Sequence, residues 1–214
     1  MTEITTKDRL LDTAERLFAE KGVKETSVRD ITKAARTHLA SVNYHFRSKN
    51  GLIRGVIARR IKPLNKRRFE LLDSYIAEAG DKPVTVERIL RALIAPSIEL
   101  YLENPHFLSF AGRMISTPDK QLHRIFASQM DEVFSRIKDQ LMLAIPDIPE
   151  TELMWRIHFT TGAIIHTWTN NADLEIRSGG ICKIKDKEAV INELIAFCGA
   201  GLRAGSQKSS TQIE

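Results

Sequence analysis

The sequence predicts an all-α fold, in which a small N-terminal unit of three helices precedes a larger helical domain. Apolar residues recur at helical spacing along nearly the whole chain, and no stretch alternates like a strand for more than a few residues. Proline and glycine are scarce, at 7 and 11 of 214 residues, so long helices are seldom interrupted. Positive charge is concentrated in the N-terminal third, which indicates that the two parts have different partners.

The first helix is predicted over residues 6–21, with Gly22 as its C-terminal stop. Its apolar face consists of Leu10, Ala14, Leu17 and Phe18. Thr26 and Ser27 then stand where a second helix needs its N-cap. Asp30 follows Ser27 at the spacing of a capping box, so a second, short helix is expected to begin there.

A third short helix follows a polar break at residues 36–38. Its buried side is assigned to Leu39, Val42 and Phe46. At about 100° per residue, the opposite face presents Thr37, Ala40, Ser41 and Tyr44, flanked by Asn43 and His45. Two short helices, a tight turn and such an outward face are typical of a helix-turn-helix that reads DNA. The pattern alone also permits a helical hairpin with no DNA-binding role.

The distribution of charge favours DNA binding over a plain hairpin. Residues 1–70 hold 17 Lys and Arg against 8 Asp and Glu, whereas the rest of the chain is mildly acidic. The net charge of +5 and the isoelectric point near 9.3 therefore come from the part that contains the candidate reading helix. Phosphate binding by one domain requires such a basic module.

Ser48 is expected to cap a fourth helix, which Pro63 kinks or restarts. We place the domain boundary at this proline. Residues 1–62 are assigned to DNA binding, residues 63–204 to effector binding and dimerisation, and residues 205–214 to a flexible tail. Further apolar helices are predicted over residues 84–103, 105–116, 118–145, 149–172 and 186–204, with a loop at 173–185.

The last two helices predict a homodimer. The helix over residues 149–172 is apolar around most of its circumference, so it needs cover on several sides. The helix over residues 186–204 carries an apolar stripe beside small residues, which let a neighbouring helix approach closely. One bundle of this size cannot cover both, so a partner subunit is expected. The interface is assigned to Ile164, Trp168, Ile191, Leu194, Ile195, Cys198, Gly199 and Leu202.

Composition predicts a cytoplasmic protein. The first residues are polar and enter a helix directly, so no signal peptide is expected. No apolar run approaches the roughly 18 residues that span a bilayer, so no membrane partner is expected. Cys182 and Cys198 are too few and too far apart for a disulfide framework or a zinc site.

Three N-terminal motifs within residues 8–57 are specific in combination: LLDTAERLFAEKG, TSVRDITKAA and SVNYHFRSKNGLI. Together they resemble the TetR family of bacterial transcription regulators. The resemblance implies a homodimer whose three-helix domains dock their second and third helices on a palindromic operator. It also implies a larger ligand domain, whose last two helices form a four-helix dimer interface.

The resemblance implies DNA contacts at individual positions. Arg29 matches a contact of the second helix, and Lys49 matches the phosphate-binding lysine at the start of the fourth. The reading helix and its turn supply Arg36, Thr37, His38, Leu39, Ala40, Ser41, Asn43, Tyr44 and His45. Arg36 departs from the family pattern, because glycine is usual at this position and tolerates positive φ. A residue with a side chain must therefore adopt the turn geometry.

The C-terminal half resembles fatty-acid-responsive regulators of the PsrA type, through ELMWRIHFTTGAIIHT and LIAFCGAGLRA. The resemblance implies a small hydrophobic effector such as a fatty acid or an acyl-CoA. A mostly apolar pocket of roughly a few hundred Å3 is expected, with an arginine suited to a carboxylate. The assigned lining is Phe107, Phe110, Arg113, Met114, Phe126, Met130, Trp155, His158, Phe159 and His166.

The histidines do not form an enzymatic pattern. Glu103 and His106 have the spacing of a di-iron ligand pair, but no second copy exists and Pro105 interrupts them. His158 and His166 lie eight residues apart on one helix, too far to share a metal. No Gly-rich phosphate loop is present. We therefore expect no catalysis, no metal and no cofactor.

Two alternatives to a ligand-controlled repressor remain open at this point. A non-sensing architectural protein would bind DNA with little sequence preference and have no effector. A gel shift on the protein's own upstream DNA, with and without nonspecific competitor, separates it from a repressor. A helical-bundle enzyme with an accessory DNA module would show turnover or bound metal.

Overall fold

The computed structural model describes residues 5–104, 107, 110–112, 114, 119–183 and 186–205. Regular structure within these residues is helical, without strands, which confirms the predicted all-α class. We number the helices in chain order as α1 (Thr6–Lys21), α2 (Val28–Ala34), α3 (Leu39–Phe46), α4 (Lys49–Ala79), α5 (Val86–Glu103), α6 (Lys120–Ala127), α7 (Asp131–Ala144), α8 (Glu150–Thr169), α9 (Asn171–Arg177) and α10 (Lys187–Arg203).

The chain divides into two compact units. The first unit comprises Met1–Lys66 and Leu100–Asp131, and the second comprises Arg67–Glu99 and Glu132–Glu214. Helices α1, α2, α3 and α6 thus belong to the first unit, and α8, α9 and α10 belong to the second. The domain boundary that we place at Pro63 stays a prediction.

Helix α1 begins and ends where the sequence predicts. Thr5 caps its start by accepting a hydrogen bond from the Asp8 amide, and the Gly22 amide donates to the Phe18 carbonyl at its end. Gly22 has a φ of 90°, a conformation that glycine adopts without steric cost. The apolar face is buried as expected, at Leu10, Ala14, Leu17 and Phe18.

The predicted capping box at the start of α2 is present. The Ser27 hydroxyl accepts from the Asp30 amide at 3.1 Å, and the Asp30 carboxylate accepts from the Ser27 amide at 2.9 Å. Hydrogen bonds from the Ser27 side chain and backbone lower the pKa of Asp30. Thr26 is not a cap of α2. It is buried, and its hydroxyl donates to the carbonyls of Leu17 and Gly22, so it ties the end of α1 to the start of α2.

Two helix predictions in the rest of the chain are wrong. The segment predicted as one helix over residues 118–145 contains two helices, α6 and α7, separated by a turn at 128–130. The predicted loop at 173–185 begins with the last part of α9. Neither the turn at 128–130 nor the break between α8 and α9 contains Gly or Pro, which explains why the pattern misses both. Helix α4 continues through Pro63 without a restart, and a kink at this proline stays a prediction. The helix predicted over residues 105–116 lies largely outside the described residues.

In the second unit, α8 packs against both α9 and α10. Asp186 caps the start of α10 by accepting from the Ala189 amide. The side of α10 toward the interior buries Ile191, Leu194, Cys198 and Leu202. Burial raises the pKa of the Cys198 thiol, as expected for a small core residue. Among the described residues, no helix is long and apolar enough to cross a membrane.

Candidate DNA-binding interface

Helix α3 has one buried side and one exposed side. Val42 and Phe46 are buried, at 0% and 9% exposure, whereas Tyr44 is 84% exposed. Leu39, which the sequence assigns to the buried side, is 47% exposed. This assignment is corrected: Leu39 is the first residue of α3, so no earlier turn of the helix covers it. Its place among the predicted DNA contacts is compatible with this exposure.

The other predicted DNA contacts lie on or next to the exposed side of α3. The rings of Tyr44 and His45 meet edge to face, with centroids 4.9 Å apart. The exposed members of the set are Arg29, Arg36, His38, Ala40 and Asn43, and the half-buried members are Thr37, Ser41, His45 and Lys49. The structure therefore brings the predicted reading residues to the α2–α3 part of one unit. Their individual roles remain predictions.

The start of α3 is not capped by a side chain. His38 is the N-cap residue, but its ring makes no capping hydrogen bond. Its carbonyl accepts from the Ser41 amide at 2.9 Å. Amides in the first turn of a helix that lack an internal acceptor suit anionic oxygens, and DNA phosphates supply these.

Lys49 begins α4, and its ammonium is engaged within the chain. Nζ donates to the Val23 carbonyl at 2.5 Å, a contact that ties the start of α4 to the loop between α1 and α2. Desolvation lowers the pKa of this lysine. An ammonium has three donors, so a phosphate contact is still open to Lys49. The structure adds a positioning role that the sequence does not reveal.

A cluster of ion pairs joins α1 to α4. Glu15 of α1 is 5% exposed and accepts from Arg59 at 2.7 Å and from Arg60 at 2.9 Å. Arg59 also donates to Asp12 at 2.6 Å. Burial acts to lower the pKa of Arg59, but its bonds to Glu15 and Asp12 outweigh burial and raise it. These charge-assisted bonds fix α1 on α4, so Arg59 and Arg60 hold the first unit together.

Arg68 is a buried guanidinium in the second unit. It is 4% exposed, and it donates to the Ser97 hydroxyl at 2.6 Å and to the Leu93 carbonyl at 3.2 Å. Burial lowers its pKa to about 10, so it is charged at neutral pH. The adjacent Arg67 is exposed and pairs with Glu99 at 2.7 Å. No local pattern in the sequence distinguishes these two arginines.

The predicted dimer-interface residues are mostly buried within the single chain, and their assignment to a partner interface stays a prediction. Their apolar spacing reflects the packing of α10 against α8, since periodicity cannot distinguish burial by the same chain from burial by a partner. The buried members are Ile164, Ile191, Leu194, Ile195, Cys198, Gly199 and Leu202, while Trp168 is half-buried.

Large apolar side chains are also exposed on α8 and on α10. Trp155 is 62% exposed and Phe159 is 64% exposed, and their stacked rings have centroids 5.9 Å apart. Gly162 and His166 continue this exposed stripe along α8 at helical spacing. On α10, Phe197 is 74% exposed. We call Trp155 and Phe159 the aromatic face.

The residues predicted to line an effector pocket fall into two groups. Phe107, Phe110 and Met114 are buried in the first unit, where Phe110 stacks on Phe18 at 5.6 Å, and Phe126 and Met130 are half-buried there. Trp155, His158, Phe159 and His166 are exposed on α8 of the second unit. The latter four do not line an enclosed pocket in this chain, and that part of the assignment is corrected. Arg113 lies outside the described residues.

An open groove of about 590 Å3 lies between α7 and α8 in the second unit. It is lined by Phe134, Ser135, Lys138, Glu150, Thr151 and Met154, none of which belongs to the predicted pocket. Lys138 and Glu150 form an ion pair at 2.8 Å across it. Hydrogen bonding to Lys138 lowers the pKa of Glu150.

Two protein-family models match the chain. Residues 10–56 match the bacterial regulatory proteins of the tetR family, and residues 91–201 match the tetracyclin repressor-like C-terminal domain. The second match alone covers more than half of the chain. The chain belongs to the TetR family. Members of this family are transcription regulators that bind DNA, and they are not enzymes.

Curated relatives of the TetR family match parts of the chain. The probable HTH-type transcriptional regulator YttP of Bacillus subtilis strain 168 is 38% identical over 56 residues, which cover 26% of this chain and 27% of YttP. The HTH-type transcriptional repressor KstR2 of Rhodococcus jostii strain RHA1 is 33% identical over 93 residues, or 44% of this chain and 42% of KstR2. The chain thus spans less than half the length of either relative.

Solved structures of the TetR family share the fold along nearly the whole chain. A TetR-family regulator from Bordetella parapertussis 12822 has a TM-score of 0.65 at 19% identity, covering 92% of this chain and 95% of that one. FadR from Bacillus subtilis in complex with stearoyl-CoA has a TM-score of 0.67 at 15% identity, and the match covers 90% of this chain and 97% of that one. The fatty acid degradation regulator FadR from Bacillus halodurans also has a TM-score of 0.67 at 15% identity, and the match covers 95% of this chain and 99% of that one.

Proposed function

We propose that the chain is a ligand-controlled repressor that binds a partly palindromic operator as a homodimer. The exposed side of α3 carries this proposal. Tyr44 projects into solvent from a helix whose opposite side is anchored by Val42 and Phe46. Tyr44 is assigned to backbone phosphate, and Ser41 and Asn43 are assigned to base edges. The repressor role is supported by the similarity to KstR2, which is a transcriptional repressor.

The aromatic face supports the homodimer. Large exposed apolar side chains that lie together on a surface are typical of an interaction site. Aromatic residues are enriched at the centres of protein interfaces. A second copy of this chain offers an identical face, so a two-fold axis beside α8 and α10 would bury both copies at once. Such a dimer would also present two α3 helices to successive major grooves.

The proposed effector is a hydrophobic molecule with an acyl chain. Both FadR proteins support this class, since one is a fatty acid degradation regulator and the other is bound to stearoyl-CoA. Their identity to this chain is 15%, so they do not specify the effector. The effector acts by favouring a conformation in which the two reading helices no longer match the spacing of the half-sites. A 100-fold loss of DNA affinity requires about 2.7 kcal/mol of differential binding.

Operator release by acyl compounds is the expected outcome of this mechanism. Long-chain fatty acids and acyl-CoAs should lower the affinity of the protein for its operator by about 100-fold in a fluorescence anisotropy assay. Coenzyme A without an acyl chain is the matched control and should have no effect. Release by an unrelated aromatic compound, with none by the acyl compounds, would disprove the acyl class but keep the repressor. DNA binding with neither sequence preference nor any releasing compound would favour the architectural alternative.

A further inference from the structure

Two arginines flank α3, the proposed reading helix, and both have left-handed backbone conformations. Arg36 has a φ of 50° and Arg47 has a φ of 64°, and within the described residues no other residue except glycine has a positive φ. Arg36 lies three positions before Leu39, the first residue of α3, and Arg47 directly follows Phe46, the last residue. Residues with a Cβ avoid this region because the Cβ crowds the following carbonyl.

The turn at Arg36 is a helix-ending motif that normally takes glycine. The Thr37 amide donates to the Thr32 carbonyl at 2.9 Å, and the Arg36 amide donates to the Lys33 carbonyl at 3.3 Å. These two bonds define a Schellman motif with Arg36 at its left-handed position, where glycine is the usual residue. Arginine at this position costs conformational energy that glycine would avoid.

The turn at Arg47 is tighter. The Ser48 amide donates to the Phe46 carbonyl at 2.8 Å, which closes a three-residue turn around Arg47. Three-residue turns with a positive φ at the central residue are rare and strained. Helix α3 is therefore flanked on both sides by an arginine whose backbone conformation is unfavourable for a residue with a Cβ.

Neither arginine side chain has a recorded partner to offset this cost. Arg36 and Arg47 are exposed, and among the described residues neither forms a hydrogen bond or an ion pair through its guanidinium. Arg59 and Arg60, in contrast, are engaged by Glu15. Residues 31–66 hold nine Lys and Arg and no Asp or Glu, so no nearby carboxylate in this segment competes for these two guanidinium groups.

We infer that Arg36 and Arg47 are a pair of backbone-phosphate contacts that bracket the reading helix. The eight residues of α3 span about 12 Å, which is also the approximate width of the major groove. A helix whose axis runs across the groove would therefore have its two ends near the phosphates on either side. Guanidinium groups bind phosphate oxygens in a bidentate manner. The inference rests on the proposed operator binding. We call Arg36 and Arg47 together the phosphate clamp of that site.

Glycine and alanine variants distinguish the effect of the backbone conformation on stability from the effect of the side-chain charge on DNA binding. Arg36→Gly and Arg47→Gly remove both the charge and the strain, whereas Arg36→Ala and Arg47→Ala remove the charge alone. Because the proposed homodimer carries every substitution twice, each of the four variants should reduce the magnitude of the salt slope of operator binding by about 1.8. Each glycine variant should also melt roughly 2–4 °C above its alanine counterpart. The double glycine variant should combine a higher melting temperature with weaker DNA binding.

The double glycine variant gives a direct binding readout. The double variant loses four phosphate contacts in the proposed homodimer, so between roughly 50 and 200 mM salt the ratio of wild-type to variant affinity should change by about 150-fold. Arg16→Ala is the matched control, because Arg16 is an exposed arginine of α1 that pairs with Glu20 at 3.1 Å. This control should keep the wild-type salt slope.

The possible failures of the inference and of the proposed function are distinguishable. If the wild type binds its operator and the glycine variants keep the wild-type salt slope, the phosphate clamp is wrong and the repressor stands. If the glycine variants melt no higher than the alanine variants, the strain argument is wrong. If the wild type shows no operator preference at all, the proposed function fails and the clamp fails with it.

Discussion

A Trp155→Glu, Phe159→Glu double variant should be monomeric at micromolar concentration and should lose operator binding. Both side chains are exposed in the single chain, so their replacement removes little packing within it. In a two-fold interface every substitution is present twice. A loss of about 2 kcal/mol at each of the four sites would weaken the dimer by about 8 kcal/mol, or about a million-fold in the dissociation constant.

Light scattering coupled to size exclusion measures this outcome directly. Leu143→Glu is the matched control, because Leu143 is 58% exposed on α7 and lies outside the aromatic face. The control should remain dimeric and keep its affinity for the operator. A double variant that is folded, dimeric and fully active would show that the aromatic face is not the interface.

Arg68→Ala should lower the free energy of unfolding by about 3 kcal/mol. The variant removes the hydrogen bonds of a charged donor, among them those to Ser97 and Leu93, and each such bond is worth about 1.5–3 kcal/mol. It also leaves a cavity where the side chain was. The Ser97 hydroxyl still donates to the Leu93 carbonyl at 2.9 Å, which limits the loss. For a chain of this length the melting temperature should fall by roughly 6–12 °C.

Two further variants identify the cause of this destabilisation. Arg67→Ala removes a neighbouring exposed arginine whose ion pair with Glu99 should contribute no more than about 1 kcal/mol. Arg68→Met restores much of the side-chain volume without the charge, so its loss should be smaller than that of Arg68→Ala. Thermal unfolding followed by circular dichroism compares all three. Equal effects of Arg67→Ala and Arg68→Ala would contradict a structural role for the buried guanidinium.

The sequence predicts the first three helices well because their signals are local. The stop at Gly22 and the capping box of Ser27 and Asp30 depend on residues a few positions apart. The exposed side of α3 follows from spacing within eight residues. The positive φ of Arg36 is also anticipated, since the turn needs that geometry whichever residue occupies it.

Burial by segments that are distant in the sequence cannot be predicted from such local signals. The apolar spacing of α10 is visible in the sequence, but nothing in it shows that Ile191 and Leu194 are covered by the same chain. The sequence assigns Trp155 and Phe159 to a pocket for the same reason, because the sequence around an aromatic residue on a helix does not show what covers it. Arg67 and Arg68 both contact α5, but Arg68 is buried whereas Arg67 is exposed. Tertiary packing decides each of these cases.

Footprinting of the protein on its own upstream DNA, at physiological salt and with excess nonspecific competitor, tests the central claim most directly. The account predicts a bounded, partly palindromic footprint whose half-site centres lie about 34 Å apart or a multiple of this distance. Tyr44→Ala should abolish the footprint while the fold is retained, since Tyr44 is 84% exposed and packs little within the chain. Protection without boundaries, or an unchanged footprint with Tyr44→Ala, would contradict operator recognition by α3.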